Sequence, residues 1–157
     1  MYTIATTRFN TITWDQLVKW REKHHYSNTE CIYNTPMRIS EKIPLCYNVY
    51  VLEMRNDINK IGGVGLITNY LRMDKHNRIY KDQNYNRYSY SGYQRIAREE
   101  INEEDKIIIR VLEALIFKGS AHMKRGQGIT QLSQRFLNNK KIDFVAFMRR
   151  LFSSRFG

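Results

Sequence analysis

Cysteine and proline are scarce, with two residues of each in 157. Cys31 and Cys46 have no CxxC neighbour, which argues against a disulfide framework and against a structural zinc site. His24 and His25 precede Cys31, but adjacent residues on a helix do not face one ligand, so no metal is expected there. Long apolar runs are missing as well. None approaches the roughly 20 residues of a membrane span, and the opening MYTIATTRFN has no hydrophobic signal segment. An intracellular, reducing location without a membrane partner is the expectation. Acidic residues are few, 15 against 26 Lys and Arg, leaving a formal charge of +11. Such an excess calls for a polyanion, nucleic acid (DNA or RNA) before an anionic membrane surface.

Catalytic signatures are absent too. No serine or cysteine sits in a nucleophile motif, and the carboxylates crowd between Glu99 and Asp105, where the start of a helix accounts for them. Glu53 and Asp57 flank the hairpin turn and could bind a metal in a nuclease-like way, but with no DxE or HxE pattern nearby that is the lesser reading. The expectation is therefore a non-enzymatic protein with no catalytic residue, no metal and no cofactor.

The length suits one domain with a substantial core, and 42% hydrophobic residues agrees with a globular chain. The basic excess is concentrated in residues 70–98 and 120–157, while 99–119 is net acidic. If the two basic segments converge, their shared face is the binding surface.

Tyr2 to Thr7 alternates enough for a strand. Thr13 with Gln16 three residues later reads as a capping box for a helix reaching about His24. Tyr26 to Tyr47 shows no period and reads as mostly loop. In NVYVLEMRNDINKIGGVGLITN, Asn48 to Asn69, a β-branched run turns through Arg55 to Asn59 into Ile61, Val64, Leu66 and Ile67 around three glycines. That pattern predicts two paired strands. Gly62, Gly63 and Gly65 there imply a bulge or a close backbone approach.

Turns are expected at Asp74–Asn77 and Asp82–Asn86, and short strands at Arg78–Tyr80 and Arg87–Tyr90. Asn102 caps a helix whose first turn holds Glu103, Glu104 and Asp105 and whose Ile107, Ile108, Val111, Leu112, Leu115 and Ile116 recur at helical spacing up to Lys118 and Gly119. A short helix is expected within Thr130–Leu137. An amphipathic basic helix follows over Lys141–Phe152, with Phe144, Phe147, Met148, Leu151 and Phe152 on its apolar side. That stripe suits docking on the domain, with a protein partner as the alternative.

The order of strand, Trp-bearing helix, long loop and VYVLEMRNDINKIGGVGLI resembles the PUA-like superfamily, in particular its EVE and YTH branches, over roughly residues 2–70. The resemblance implies an α+β fold: a small PUA-like β-barrel with flanking helices, here residues 1–100, and a helical, basic C-terminal extension at 101–157. It also implies nucleic-acid binding, in its sharpest form the reading of a modified base in an aromatic pocket. The bias toward Asn, Ile, Lys and Tyr resembles proteins of large DNA viruses, which would place the chain in host cytoplasm, nucleus or virion.

Five of the eleven tyrosines lie in Arg78–Arg98 among Lys81, Arg87, Arg95 and Arg98. Rings stack on bases while cations follow phosphates, so Tyr85, Tyr88 and Tyr90 are candidate stacking residues and Arg87 and Arg95 candidate phosphate contacts. The alternative is a tyrosine-rich strand pair covering the core. Lys124 and Arg125, beside Gly126 and Gly128 and ahead of an expected helix, would cradle a phosphate, unless the glycines merely turn the chain. Trp14 shares a face with Leu17 and Val18 and belongs to the core. Trp20, between Lys19 and Arg21 and off that face, is expected to be exposed for stacking or to cover a loop. The rival to a base reader is a basic structural or packaging protein that binds nucleic acid through charge alone or bridges protein partners.

Overall fold

A computed structural model describes residues 1–72 and 77–157; the turn expected at Asp74–Asn77 lies, except for Asn77, outside them. The chain is α+β. Strands β1 (Tyr2–Phe9), β3 (Asn48–Arg55), β4 (Lys60–Thr68), β6 (Gln94–Ala97) and β7 (Thr130–Gln131) form one sheet in the order β6-β4-β3-β1-β7. β1 runs parallel to β3, and the other pairs are antiparallel. β2 (Cys31–Thr35) and β5 (Tyr88–Gly92) make a second, two-stranded sheet.

Alternation along the central strands explains why both faces of the large sheet are covered. Ile4, Tyr50, Leu52 and Met54 point to one side, where they meet Ile109, Leu112 and Ile116 of α2 (Glu103–Phe117) and Phe144, Phe147, Met148, Leu151 and Phe152 of α4 (Phe144–Phe156). Ala5, Val49, Val51 and Ile67 point to the other, under Leu17 and Trp20 of α1 (Thr11–Lys23), Ile32 and Tyr33 of β2, and Tyr90. The apolar stripe of α4 is thus spent on the core. Its cations face outward: Arg150 pairs with Asp105, Arg155 with Glu100, and the Arg149 guanidinium lies 4.7 Å from the centre of the Tyr2 ring.

The strands do not close into the expected barrel. β2 and β5 pair only with each other and lie over β4, and an open five-stranded sheet results. Two glycines make this stacking feasible. A Cβ on Gly65 would run into the Tyr33 hydroxyl and the Cys31 sulfur, and one on Gly63 would meet Arg95 Nη2 at 2.7 Å and Glu53 Oε1 at 2.9 Å. The ladder register slips between Leu52 and Met54, opposite Gly62 and Gly63, so the glycine bulge expected from the sequence sits against Glu53.

Other expectations need correction. β2 lies inside the stretch read as loop, because all five of its residues are buried and the polar–apolar alternation that marks a half-exposed strand is missing. Helix α1 is capped by Asn10: its side chain accepts from Thr13 N at 2.8 Å while Thr13 Oγ1 accepts from Asn10 N at 3.0 Å, so Thr13 is the reciprocal partner and not the cap. Arg78–Tyr80 forms no strand. Its amides turn inward instead, Ile79 N and Tyr80 N donating to Asn86 Oδ1 at 3.2 and 3.1 Å. Thr130–Leu137 divides into β7 and a four-residue helix, α3 (Gln134–Leu137). The cap at Asn102 is as expected, its Oδ1 accepting from Asp105 N at 2.8 Å.

Candidate ligand-binding cavity

A cavity of about 440 Å³ opens where the C-terminal ends of β1 and β2 meet the head of α1. Ligand pockets of this kind run from about 300 to 1,000 Å³. Phe9 and Asn10 enter it from the β1–α1 junction, Tyr33 and Asn34 from β2, Asn56 from the β3–β4 turn, and Tyr80, Asp82 and Tyr85 from the segment leading to β5. Gln127 and Gly128 complete the wall.

Hydrogen bonds within the protein fix most of these side chains. Asn34 donates to Asn77 O at 2.7 Å and to Asn86 Oδ1 at 3.1 Å, and accepts from the Ser89 hydroxyl. Asn56 donates through Nδ2 to Lys124 O at 3.0 Å, and Arg8 at the rim donates to the same carbonyl at 3.4 Å. Two polar groups are left over. Asn56 Oδ1 is buried without a partner. Tyr80 is 6% exposed; its hydroxyl makes no hydrogen bond among the described residues but, unlike Asn56 Oδ1, is reached by solvent. A buried polar group without a partner costs about 1–3 kcal/mol, and that cost is recovered when a ligand supplies the missing bond.

Beneath the cavity lies a buried carboxylate. Tyr33 donates its hydroxyl to Glu53 Oε2 at 2.6 Å, and Arg95 holds the same carboxylate through Nε at 2.8 Å and Nη2 at 2.6 Å. Burial alone pushes the Glu53 carboxyl up, but the Arg95 charge and the hydrogen bonds from Arg95 and Tyr33 bring it below its usual range. Burial and then the Glu53 charge raise the Tyr33 phenol. The same two causes, in that order, hold the Tyr80 phenol far above its normal range, so Tyr80 remains a neutral hydroxyl able to donate or accept.

No family model, curated protein or solved structure matches the chain.

Of the stacking and phosphate residues expected from the sequence, Tyr85 alone lines the cavity, 41% exposed, with its ring edge-on to Tyr80 at 6.4 Å. Trp20 is not exposed: it is 8% accessible, stacked on His24 at 4.1 Å and edge-on to Tyr26, because α1 buries this side of itself against Ile32 and Ile39. Tyr90 is 2% accessible and accepts from Ile39 N at 3.0 Å, a core role. Tyr88 is half-buried under the Arg38 guanidinium at 5.4 Å. Arg95 is committed to Glu53. Arg87 and Arg125 are exposed, and Lys124 donates to Asn59 Oδ1 at 2.7 Å. Gly128 leads into β7 and not into a helix, so the expected phosphate cradle lacks its helix N-terminus; Gly126 N instead donates to Met123 O. Asp57 accepts from Thr11 N and Thr11 Oγ1, both at 2.6 Å, and among the described residues no three His, Cys, Asp or Glu side chains converge as a metal site. Nor is any described helix long and apolar enough to cross a membrane.

Phe9, Asn10, Asn34, Asn56 and Tyr80 were not singled out by sequence. They come from separate segments whose only shared sequence signal is the general abundance of Asn and Tyr.

Proposed function

We propose that the protein binds nucleic acid without altering it chemically, and that the cavity beside the head of α1 takes up one unstacked base, in the manner of PUA-like readers. The observation that carries this reading is Asn56 Oδ1, buried without a partner in the wall of a cavity that also holds the rings of Phe9, Tyr80 and Tyr85. Aromatic faces with a few unsatisfied polar groups suit a planar heterocycle, whose edge carries donors and acceptors.

Charge supports a base inside and phosphates outside. The wall carries one cation and one carboxylate, Arg8 and Asp82, so its interior has little net charge, whereas Lys124 and Arg125 stand close to the rim of a chain with a +11 excess. Recognition of a modified base is the sharper form of the proposal. The order β1–α1–β2–β3–β4, with β2 and β5 folded over β4, supports a PUA-like relationship in an opened form of the barrel. The unpaired thiols of Cys31 and Cys46 fit a reducing, intracellular setting.

Fluorescence anisotropy with single- and double-stranded DNA and RNA, modified and unmodified, at about 50 and 200 mM salt tests the reading. A preference among probes that persists at the higher salt, and that Tyr80→Phe reduces, supports it. Equal binding to every probe that collapses with salt would instead assign the protein to charge-driven packaging.

A further inference from the structure

A second concavity, also about 440 Å³, lies between α1, the β3–β4 hairpin and β6. Five cations line it: Arg21, Arg55, Lys60, Arg95 and Arg98. Two of them are neutralised, Arg95 by Glu53 and Arg98 by Glu113. The other three form no ion pair among the described residues. Arg55 and Lys60 are direct partners across the hairpin ladder, an arrangement in which like charges repel. The Arg55 guanidinium lies over the Trp14 ring, 4.7 Å from its centre, a contact that leaves its charge unneutralised. Arg21 is partly buried, and among the described residues its guanidinium hydrogen-bonds only to the neutral carbonyl of Ser27, at 3.0 Å. Burial first, and the charge of Arg95 second, lower its pKa, with the Glu53 charge opposing them in part.

Nothing in the fold requires this crowding. Lys60 is exposed at the end of β4, and a neutral residue there would complete the same ladder. Two carboxylates also border the groove, Glu22 and Glu99, but both are exposed and neither forms an ion pair with the three cations. We propose that the groove is an anion site that accepts a phosphate group between Arg21, Arg55 and Lys60. The group belongs either to the backbone of the strand whose base enters the neighbouring cavity or to a separate phosphorylated small molecule. The two concavities share a wall, since Trp14 packs edge-on against Phe9 at 5.3 Å and Arg55 is followed directly by Asn56.

Titrating the full chain with inorganic pyrophosphate while following the side-chain N–H signals of Arg21, Arg55 and Trp14 by NMR tests the site without presupposing nucleic acid. The expected result is saturable movement of these three signals, with binding about tenfold weaker in the Arg55→Gln/Lys60→Gln double variant, read there from Arg21 and Trp14, and unchanged in an Arg135→Gln/Lys140→Gln control at exposed positions elsewhere. Unsaturable drift, or equal loss in the control, overturns the proposal. A second arm separates the sources of the phosphate. If it comes from a single strand, the double variant lowers the slope of log affinity against log salt by about 0.7, the contribution of one phosphate contact. An unchanged slope beside saturable pyrophosphate binding assigns the site to a separate phosphorylated ligand. Failure of the base-reading proposal would show only in this second arm.

Discussion

Arg95 grips Glu53 with both edges of its guanidinium, Nε to Oε2 at 2.8 Å and Nη2 to Oε1 at 2.6 Å, and the pair is enclosed at 13% and 1% side-chain exposure. Because Tyr33 lines the cavity and Arg95 lines the cationic groove, and both hold the same carboxylate, Glu53 ties the walls of the two concavities together. Removing one member of a buried pair leaves the other charge without a partner, at a cost of about 3–5 kcal/mol, whereas replacing both with apolar residues is often neutral. Glu53→Leu should therefore be strongly destabilising in urea unfolding, and Glu53→Leu/Arg95→Met clearly less so. Equal losses in the single and double variants would show that the pair's charge is not the cause.

The pH dependence follows from the same contact. Glu53 titrates below its usual range when folded, so its contribution to stability is fully present above the unfolded value of about 4.3 and is lost as pH falls through the folded value. Unfolding followed from pH 6 downward should show stability declining below about pH 4. That decline should be shallower in the apolar double variant, and an identical acid limb in both proteins would place the titration elsewhere.

What the sequence disclosed about this region was its backbone and not its contacts. The hairpin from Asn48 to Thr68 is readable because one edge alternates and because three glycines have no propensity reason to be in a strand. The cap at Asn102 is readable because the cap and the first-turn carboxylates are local chemistry. β2 is not, since burial on both faces erases its period, and Trp20 misleads because its flanking cations suggest exposure while α1 turns Leu17 and Trp20 inward and leaves Val18, expected on the buried face, exposed. The cavity is assembled from five chain segments, and no window of sequence contains it.

The two thiols should differ sharply in reactivity. Cys31 is enclosed beside β4, and burial, then the Glu53 charge, push its pKa up to about 12, whereas Cys46 is exposed. Since the thiolate is the reactive form, a thiol reagent at pH 8 should label one cysteine in the native protein and two after denaturation. Rapid native labelling of both would mean that the β2–β5 sheet opens readily from β4.

That sheet contact can be probed at Gly65. A methyl group there meets Tyr33, whose ring is fully buried and whose hydroxyl is tied to Glu53, so the neighbour has no free rotamer to retreat into. Gly65→Ala should cost about 1–3 kcal/mol by overpacking. Gly119, with φ of +78° and open space around it, makes the comparison, since Gly119→Ala adds backbone strain without collision. If Gly65→Ala is tolerated as well as an ordinary surface change, the two sheets are less closely stacked than the fold requires.

Tyr85 and Tyr90 separate binding from folding most cleanly. Tyr85 is 41% exposed at the cavity and touches the core only through the edge of Tyr80, so Tyr85→Ala should alter stability by less than about 0.5 kcal/mol. If its ring stacks on a base, the same change weakens single-strand binding by about 1–3 kcal/mol. Tyr90→Phe works in the opposite direction: it deprives the buried Ile39 amide of its acceptor, which costs about 1–3 kcal/mol of stability, but removes nothing from the cavity wall. Tyr80→Phe takes away a hydroxyl that no protein group uses, so stability should hold while affinity falls. Urea midpoints and anisotropy on the three variants then form a crossed pattern that charge-driven binding cannot reproduce. Losses in affinity that simply track stability would remove the cavity from the mechanism and leave the basic surface as the binding element.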